Sequence, residues 1–236
     1  MSALEGLNVV APTTGWAGYV GPSLLQLLET LPVTAAESNE PFAFPVQWVE
    51  KFSGSTDTSQ GRRVFWGRVA TGQVQAGDTV RVMPSGQTAT VSQVLDAVRR
   101  SRAIGAGHSA GLVLDREVDV SRGDWLLAGD APAAVRDVTG TVAWLDDEPL
   151  VAGRVYWALH GHRWVKAKIK RVVHRLDVHT LAEQAATQLE PNAIGVVELA
   201  LQEPLAARPF ANARVPGSLV LVDTATHRTS GALLVR

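Results

Sequence analysis

Arg63-Val64-Phe65-Trp66-Gly67-Arg68-Val69-Ala70-Thr71-Gly72-Gln73-Val74-Gln75-Ala76-Gly77-Asp78-Thr79-Val80-Arg81-Val82-Met83-Pro84-Ser85-Gly86 is the stretch whose reading decides the fold. Val80 and Val82 take one face while Thr79 and Arg81 take the other, the period of two of a half-buried strand. Gly72, Ala76-Gly77-Asp78 and Pro84-Ser85-Gly86 fall where the chain has to reverse, because glycine tolerates positive φ and proline presets φ for a turn. Reversals this closely spaced build a small barrel or sandwich, not a helical bundle.

Working outward, Pro41-Phe42-Ala43-Phe44-Pro45-Val46-Gln47-Trp48-Val49 opens the barrel on its N-terminal side, and Ser53 to Arg62 reads as a mobile polar loop. Thr88 to Val98 and Gly107 to Leu114 supply further strands, with Arg99-Arg100-Ser101-Arg102 a solvated basic corner between them. In Glu117-Val118-Asp119-Val120-Ser121-Arg122-Gly123-Asp124, Gly123 permits a tight turn. Arg122 is placed to pair with Asp119 or Asp124, worth about 0–1 kcal/mol as an exposed pair. Trp125 then falls at a barrel rim, and Gly129 to Val135 reads as a boundary. Beyond it, Val138, Gly140, Val142 and Trp144 alternate. Val155, Trp157 and Leu159 lead to a His160-Gly161-His162 turn, and Val165, Ala167 and Ile169 return, predicting a hairpin with these apolar residues inward. Segments 192–199 and 217–223 supply later strands.

Toward the N-terminus, Gly21-Pro22-Ser23 predicts a helix start with proline in the first helical position. Leu24, Leu25, Leu27, Leu28 and Leu31 recur at helical spacing before Pro32 stops the helix. A helix this short is marginal alone, so its leucines call for a surface to cover. Val33 to Glu40 reads as a polar linker.

Composition narrows the function. The 236 residues suit one large or two small domains, and 46% apolar content is ordinary for a globular chain. With 22 basic and 23 acidic residues the net charge is −1, which provides no bulk attraction to nucleic acid or an anionic membrane. The apolar runs are too short to span a bilayer, and Met1 onward lacks the pattern of a secretory signal. There is no cysteine, which excludes disulfides, thiolate metal sites and a cysteine nucleophile.

The motif Gly67-Arg68-Val69-Ala70-Thr71-Gly72-x-Val74-x-x-Gly77-Asp78-x-Val80, with Pro41-Phe42-x-x-Pro45-Val46 ahead of it, resembles the first β-barrel after the GTP-binding domain of elongation factor Tu and other translational GTPases. Asp119-Val120-Ser121-Arg122-Gly123-Asp124 narrows the resemblance to the GTPase subunit (subunit 1) of bacterial sulfate adenylyltransferase. Ser2-Ala3-Leu4-Glu5-Gly6-x-Asn8-Val9 and Tyr19-x-Gly21-Pro22-Ser23-Leu24-Leu25 resemble that family's last guanine-contacting loop and final helix. Two positions depart from its pattern: Pro216 stands where threonine is expected and Leu233 where glycine is.

The resemblance covers essentially the whole chain. It implies an all-β fold of two tandem antiparallel β-barrels of translation-factor type, preceded by a short N-terminal helical remnant of a GTPase domain. The implied boundaries are 1–32 for the remnant, 33–40 for a linker, 41–131 for the first barrel and 132–236 for the second. The family makes adenosine 5′-phosphosulfate from ATP and sulfate, coupled to GTP hydrolysis with GTP and Mg, while adenylyl transfer occurs on a separate small subunit.

The four lysines are Lys51, Lys166, Lys168 and Lys170, none preceded by Gly or Asn. A phosphate-gripping Gly-Lys-Ser/Thr loop and an Asn-Lys-x-Asp guanine motif are therefore missing from this sequence. The expectation is a non-catalytic, truncated docking fragment with no cofactor, no metal and no catalytic residue. Ser2, Ala3 and Leu4 stand as one remaining wall of a guanine site, and Asp119, Ser121, Arg122, Gly123 and Asp124 as a partner-facing or structural turn. The implied partners are the small catalytic subunit and the family's own GTPase domain, in the cytoplasm, with no membrane.

Two further groups of residues admit both a functional and a plainer role. His160 and His162 share a face, but no carboxylate sits at ligand spacing, so exposed turn histidines are expected. Lys166, Lys168, Lys170 and Arg171 form a possible basic binding face, set against a solvated strand face that blocks edge pairing. The alternative function is a free-standing two-barrel module binding RNA or a protein, with RNA disfavoured by the near-zero net charge. A third reading is a mispredicted or expressed fragment with no independent role.

Overall fold

A computed structural model describes residues 1–15, 18–31, 36–51, 63–129, 131 and 134–236. The loop expected over 53–62, the linker residues 33–35 and the joint at 132 lie outside the described residues. The chain divides into two compact units, Met1–Ala35 and Ala36–Arg236.

In the first unit the helix runs Leu24–Thr30. Ser23 is its N-cap: the hydroxyl accepts from Gln26 N–H while the Gln26 side chain reaches back to Ser23 N–H, at 3.0 Å. Pro22 therefore precedes the cap instead of occupying the first helical turn, because a capping serine satisfies orphan N–H groups that proline cannot. The helix buries none of its own residues.

The second unit is built of antiparallel strands. Its N-terminal part holds β1 (Ala43–Lys51), β2 (Arg63–Arg68), β3 (Gln73–Val74), β4 (Thr79–Met83), β5 (Thr88–Leu95), β6 (Ile104–Gly105), β7 (Ser109–Leu114) and β8 (Trp125–Ala128). Six of these close a barrel in the order β1-β2-β7-β5-β4-β8, with β8 returning to β1, while β3 and β6 pair with each other. The alternation in the quoted stretch holds: Val80 and Val82 are buried, Thr79 is exposed and Arg81 half-buried. They join Phe44, Val46, Phe65, Val91, Leu112 and Leu126 in the core, and Val118 and Val120 from the segment before β8 enter it too.

The basic corner is less free than expected. Arg99 meets Glu50 at 2.7 Å and lies 5.6 Å over the Trp66 ring, and Arg102 pairs with Asp96 at 3.2 Å. Asp96 also accepts from Val98 and Arg100 N–H, which ends β5 before the expected Val98.

The C-terminal part holds β9 (Val135–Trp144), β10 (Leu150–Val151), β11 (Val155–His160), β12 (Arg163–Leu176), β13 (Glu183–Gln184), β14 (Gln188–Leu189), β15 (Ile194–Leu205), β16 (Ser218–Asp223) and β17 (Thr229–Val235). The order β11-β16-β17-β9-β15-β12 is closed by β12 pairing with β11, with β13 added at an edge of β12. Val142, Trp144, Ile169, Leu199 and Leu221 fill this second core. Leu233, an outlier to the family pattern, is fully buried where Gly140 leaves room for it: a Cβ built on Gly140 would lie 2.3 Å from Leu233 Cδ2.

One strand faces opposite to expectation. Tyr156, Ala158 and His160 point into the barrel, and Val155, Trp157 and Leu159 lie outside. The hairpin pairs Ala158 with Val165 and Tyr156 with Ala167, and directly opposed residues share a face. Since Val165, Ala167 and Ile169 are the inward set of β12, their partners must be inward as well.

Candidate functional site at the seam between the barrels

The two barrels of the second unit meet along an apolar seam made of Ala43, Ala70, Trp125, Leu127, Ala131 and Ala206. Trp125 is its centre. It begins β8 directly after the Ser121–Asp124 turn and is 1% exposed, so it lies inside the seam and not at an open rim. Its indole stacks on the His160 imidazole with centroids 4.7 Å apart and planes 21° from parallel. Gly161 makes this approach feasible: φ is +59°, and a Cβ would come within 2.9 Å of the indole and 3.2 Å of Pro45 Cβ.

His160 is not an exposed turn histidine. It is fully buried, and its Nε2–H donates to the Pro216 carbonyl at 3.0 Å, since a carbonyl can only accept. Burial holds its pKa down at about 4, against the small opposing effect of that hydrogen bond, so the ring is neutral at pH 7. Pro216, the second outlier to the family pattern, thus supplies an acceptor to the seam.

The turn at 119–124 is the other half of the lock. Gly123 N–H donates to Val46 O at 2.9 Å and Asp124 O accepts from Val46 N–H at 2.8 Å, which fastens the turn to β1. Gly123 is buried with φ +95°, and a Cβ there would lie 2.8 Å from His162 O and 3.1 Å from Arg163 Cα. Asp124 accepts from Ser121 N–H at 2.8 Å and from Arg163 Nη1 at 2.9 Å, a contact from the first barrel to the second. Burial pushes its pKa up, outweighing the Ser121 N–H and the Arg163 charge that pull it down. Arg163 also reaches Glu203.

Arg122 pairs with neither Asp119 nor Asp124; it donates to the Gln47 carbonyl at 3.1 Å. The better-placed guanidinium for Asp124 is Arg163, brought in from the β11–β12 turn. Asp119 and Ser121 are exposed.

Beside the seam opens a cleft of about 460 Å³ between the barrels. Pro45, Val69, Ala70 and Val215 give it an apolar lining, and Gln47, Arg68, His162, Arg214 and Glu37 add polar groups. Burial and, secondarily, the Arg122 charge hold the His162 pKa below its ordinary value. Glu37 sits on a short 3₁₀ turn, Ala36–Ser38, inside the expected linker. Its carbonyl accepts from Gly72 N–H at 2.7 Å and its Oε1 from Arg214 N–H at 3.0 Å, so this part of the linker is bound to both barrels.

The remaining sequence-derived sites lie elsewhere. Ser2 forms a bridge with Leu7, Ala3 and Leu4 occupy the turn between, and Leu4 is 97% exposed. The cavity within that unit is lined by Asn8, Tyr19 and Leu24 among others, not by Ser2, Ala3 or Leu4. Lys166, Lys168, Lys170 and Arg171 are all exposed on β12, yet the face is partly neutralised. Lys170 meets Asp137 at 3.1 Å, Arg171 meets Glu198 at 2.5 Å, and Lys166 lies 5.5 Å over the Trp157 ring. Among the described residues no group of three His, Cys, Asp or Glu side chains converges as a metal site would require.

The roles of Trp125, His160 and Arg163 were missed from the sequence. The only local signal was Gly161, flanked by histidines in a two-residue turn.

Comparisons with known proteins add a family context. Residues 137–236 match the family model for GTP-eEF1A C-terminal domain-like proteins. The chain is 40% identical to the bifunctional enzyme CysN/CysC of Xylella fastidiosa, over 98% of this chain and 36% of that protein. It is 34% identical to sulfate adenylyltransferase subunit 1 of Laribacter hongkongensis, over 100% of this chain and 48% of that one, and 35% identical to its Sodalis glossinidius counterpart, over 100% and 49%. The chain thus spans about half the length of the subunit 1 relatives it matches. Among solved structures, sup35 complexed with GDP superposes with a TM-score of 0.75 at 23% identity, covering all of this chain and 57% of that one. That likeness shows the translation-factor fold.

Proposed function

We propose that this chain, a homologue of sulfate adenylyltransferase subunit 1 over its whole length, serves sulfate activation as a recognition module. Its role is docking, not bond-making. In the family reaction, ATP and sulfate yield adenosine 5′-phosphosulfate under GTP control, and the residues in hand present surfaces to the small catalytic subunit and to a GTPase domain. The working modules are the barrels at 41–131 and 132–236, and the compartment is the cytoplasm. No helix among the described residues is long and apolar enough to cross a membrane.

The observation that carries this reading is the lock at the seam. Trp125 on His160 and Asp124 on Arg163 tie the two barrels together, so both present one fixed surface to a partner. A preorganised surface loses little conformational freedom on association. The sequence contains no Gly-Lys-Ser/Thr loop to grip phosphates. GTP and Mg²⁺ accordingly belong to the GTPase domain that the barrels serve.

Calorimetry tests the non-catalytic half of the proposal. Titrating the purified chain with GTP·Mg²⁺ or ATP·Mg²⁺ gives no saturable micromolar binding, and the chain alone forms no adenosine 5′-phosphosulfate. Micromolar GTP affinity would refute it.

A further inference from the structure

The cleft between the barrels holds two guanidinium groups that no carboxylate of the described chain neutralises. Arg68 donates its Nε–H to the Gly107 carbonyl at 2.8 Å, which holds the side chain against the cleft and leaves its terminal nitrogens open. Arg214 lines the same cleft with only its backbone engaged, through its N–H to Glu37 and its carbonyl to Ser218. Arg99, Arg102, Arg163 and Arg171 each meet an Asp or Glu within 3.2 Å, while Arg122 and Arg136, like Arg68, donate to backbone carbonyls; what sets Arg68 and Arg214 apart is that both line one cleft. Glu37 is the single acid on the cleft wall, and one of its oxygens is taken by Arg214 N–H.

The rest of the lining is mostly apolar, with Gln47 and His162 as its remaining polar side chains. Val69 and Ala70 are buried at its base, and Val215 is 42% exposed at its mouth. Arginine's planar fork matches a carboxylate with two parallel hydrogen bonds, and a partly desolvated site strengthens them. At about 460 Å³, the cleft accommodates a few side chains at the kind of inter-domain position where ligands bind.

The geometry points to a docking site for an acidic segment of a partner protein, with a glutamate or aspartate carboxylate held between Arg68 and Arg214 and an apolar neighbour seated on Val215. The inference rests on the docking role proposed above and names where on the unit the partner engages. A carboxylate is favoured over nucleic acid because two cations in a mostly apolar cleft, with no Trp, Tyr or Phe ring in the lining, fit one carboxylate better than a run of phosphates and bases.

The test uses the full chain and two probes. The first is the peptide acetyl-Leu-Glu-Leu-amide, followed through the arginine Nε signals of Arg68 and Arg214 by NMR. The second is the purified small catalytic subunit of sulfate adenylyltransferase, titrated against wild type, Arg214→Ala and the double variant Arg68→Ala/Arg214→Ala. The peptide shifts both arginine signals at millimolar concentration while its Gln analogue does not. Arg214→Ala weakens the subunit about tenfold and the double variant further, as expected of hot-spot arginines, and Arg214→Ala leaves the melting temperature unchanged because only the Arg214 backbone is engaged within the chain.

If the peptide shifts the arginines but the subunit does not bind wild type, the cleft stands and the choice of partner falls. If the subunit binds wild type and both variants equally and the peptide moves neither signal, the cleft proposal is overturned while the docking role survives. Arginine shifts produced by a single-stranded RNA oligomer and not by the peptide would overturn it as well.

Discussion

At the scale of single residues, two side-chain choices hold the seam. Gly123 carries a positive φ and faces the second barrel's backbone at a distance that admits no Cβ. Backbone atoms cannot yield as a flexible side chain would. Gly123→Ala should therefore cost roughly 1–3 kcal/mol, the scale of left-handed strain plus a displaced contact, read as a lower urea midpoint. His160 makes a pH-dependent contribution. Its folded pKa of about 4 lies below the ordinary histidine value of 6.5, so the unfolded chain takes up the proton first. The contribution is complete above pH 6.5 and is lost as the pH falls toward 4, by about 3 kcal/mol if the full shift is expressed. Urea melts across pH 7 to 4.5 should show that decline. His160→Gln, which keeps a donor for Pro216, starts lower in stability and declines less over the same range.

At the scale of elements, the β11–β12 hairpin shows what could be read in advance and what could not. The strands, the turn at Gly161 and the inward set of β12 were legible from alternation alone, because Lys166, Lys168 and Lys170 leave no doubt about the wet face. β11 was misread, since Val155, Trp157 and Leu159 on one face and Tyr156, Ala158 and His160 on the other are both largely apolar. Cross-strand pairing decides between them, and it could have been counted across the two-residue turn. The Asp124–Arg163 contact was not legible, because it joins residues 39 apart across two barrels. The same holds for Trp125 and His160, whose burial depends on one barrel meeting the other. On the outer face, Lys166→Glu and Lys168→Glu should each change stability by no more than about 0.5 kcal/mol, as exposed strand residues do. Circular dichroism melts check this, and a larger loss would mean that the face is packed.

At the scale of the whole molecule, the residues from Ala36 onward behave as one compact unit although they form two barrels. Trp125, Leu127 and Ala206 bury surface that each barrel alone would expose, and the Asp124–Arg163 contact spans the same seam. The fold class was legible from the repeated short strands and turn glycines, but the joining of the barrels was not. The docking role proposed above requires this joined surface to recognise a protein. Sedimentation velocity of the chain mixed with the small catalytic subunit tests it most directly. A docking role gives a single faster one-to-one species formed without nucleotide and independent of GTP. Two components sedimenting separately at micromolar concentration, with and without GTP, would contradict it.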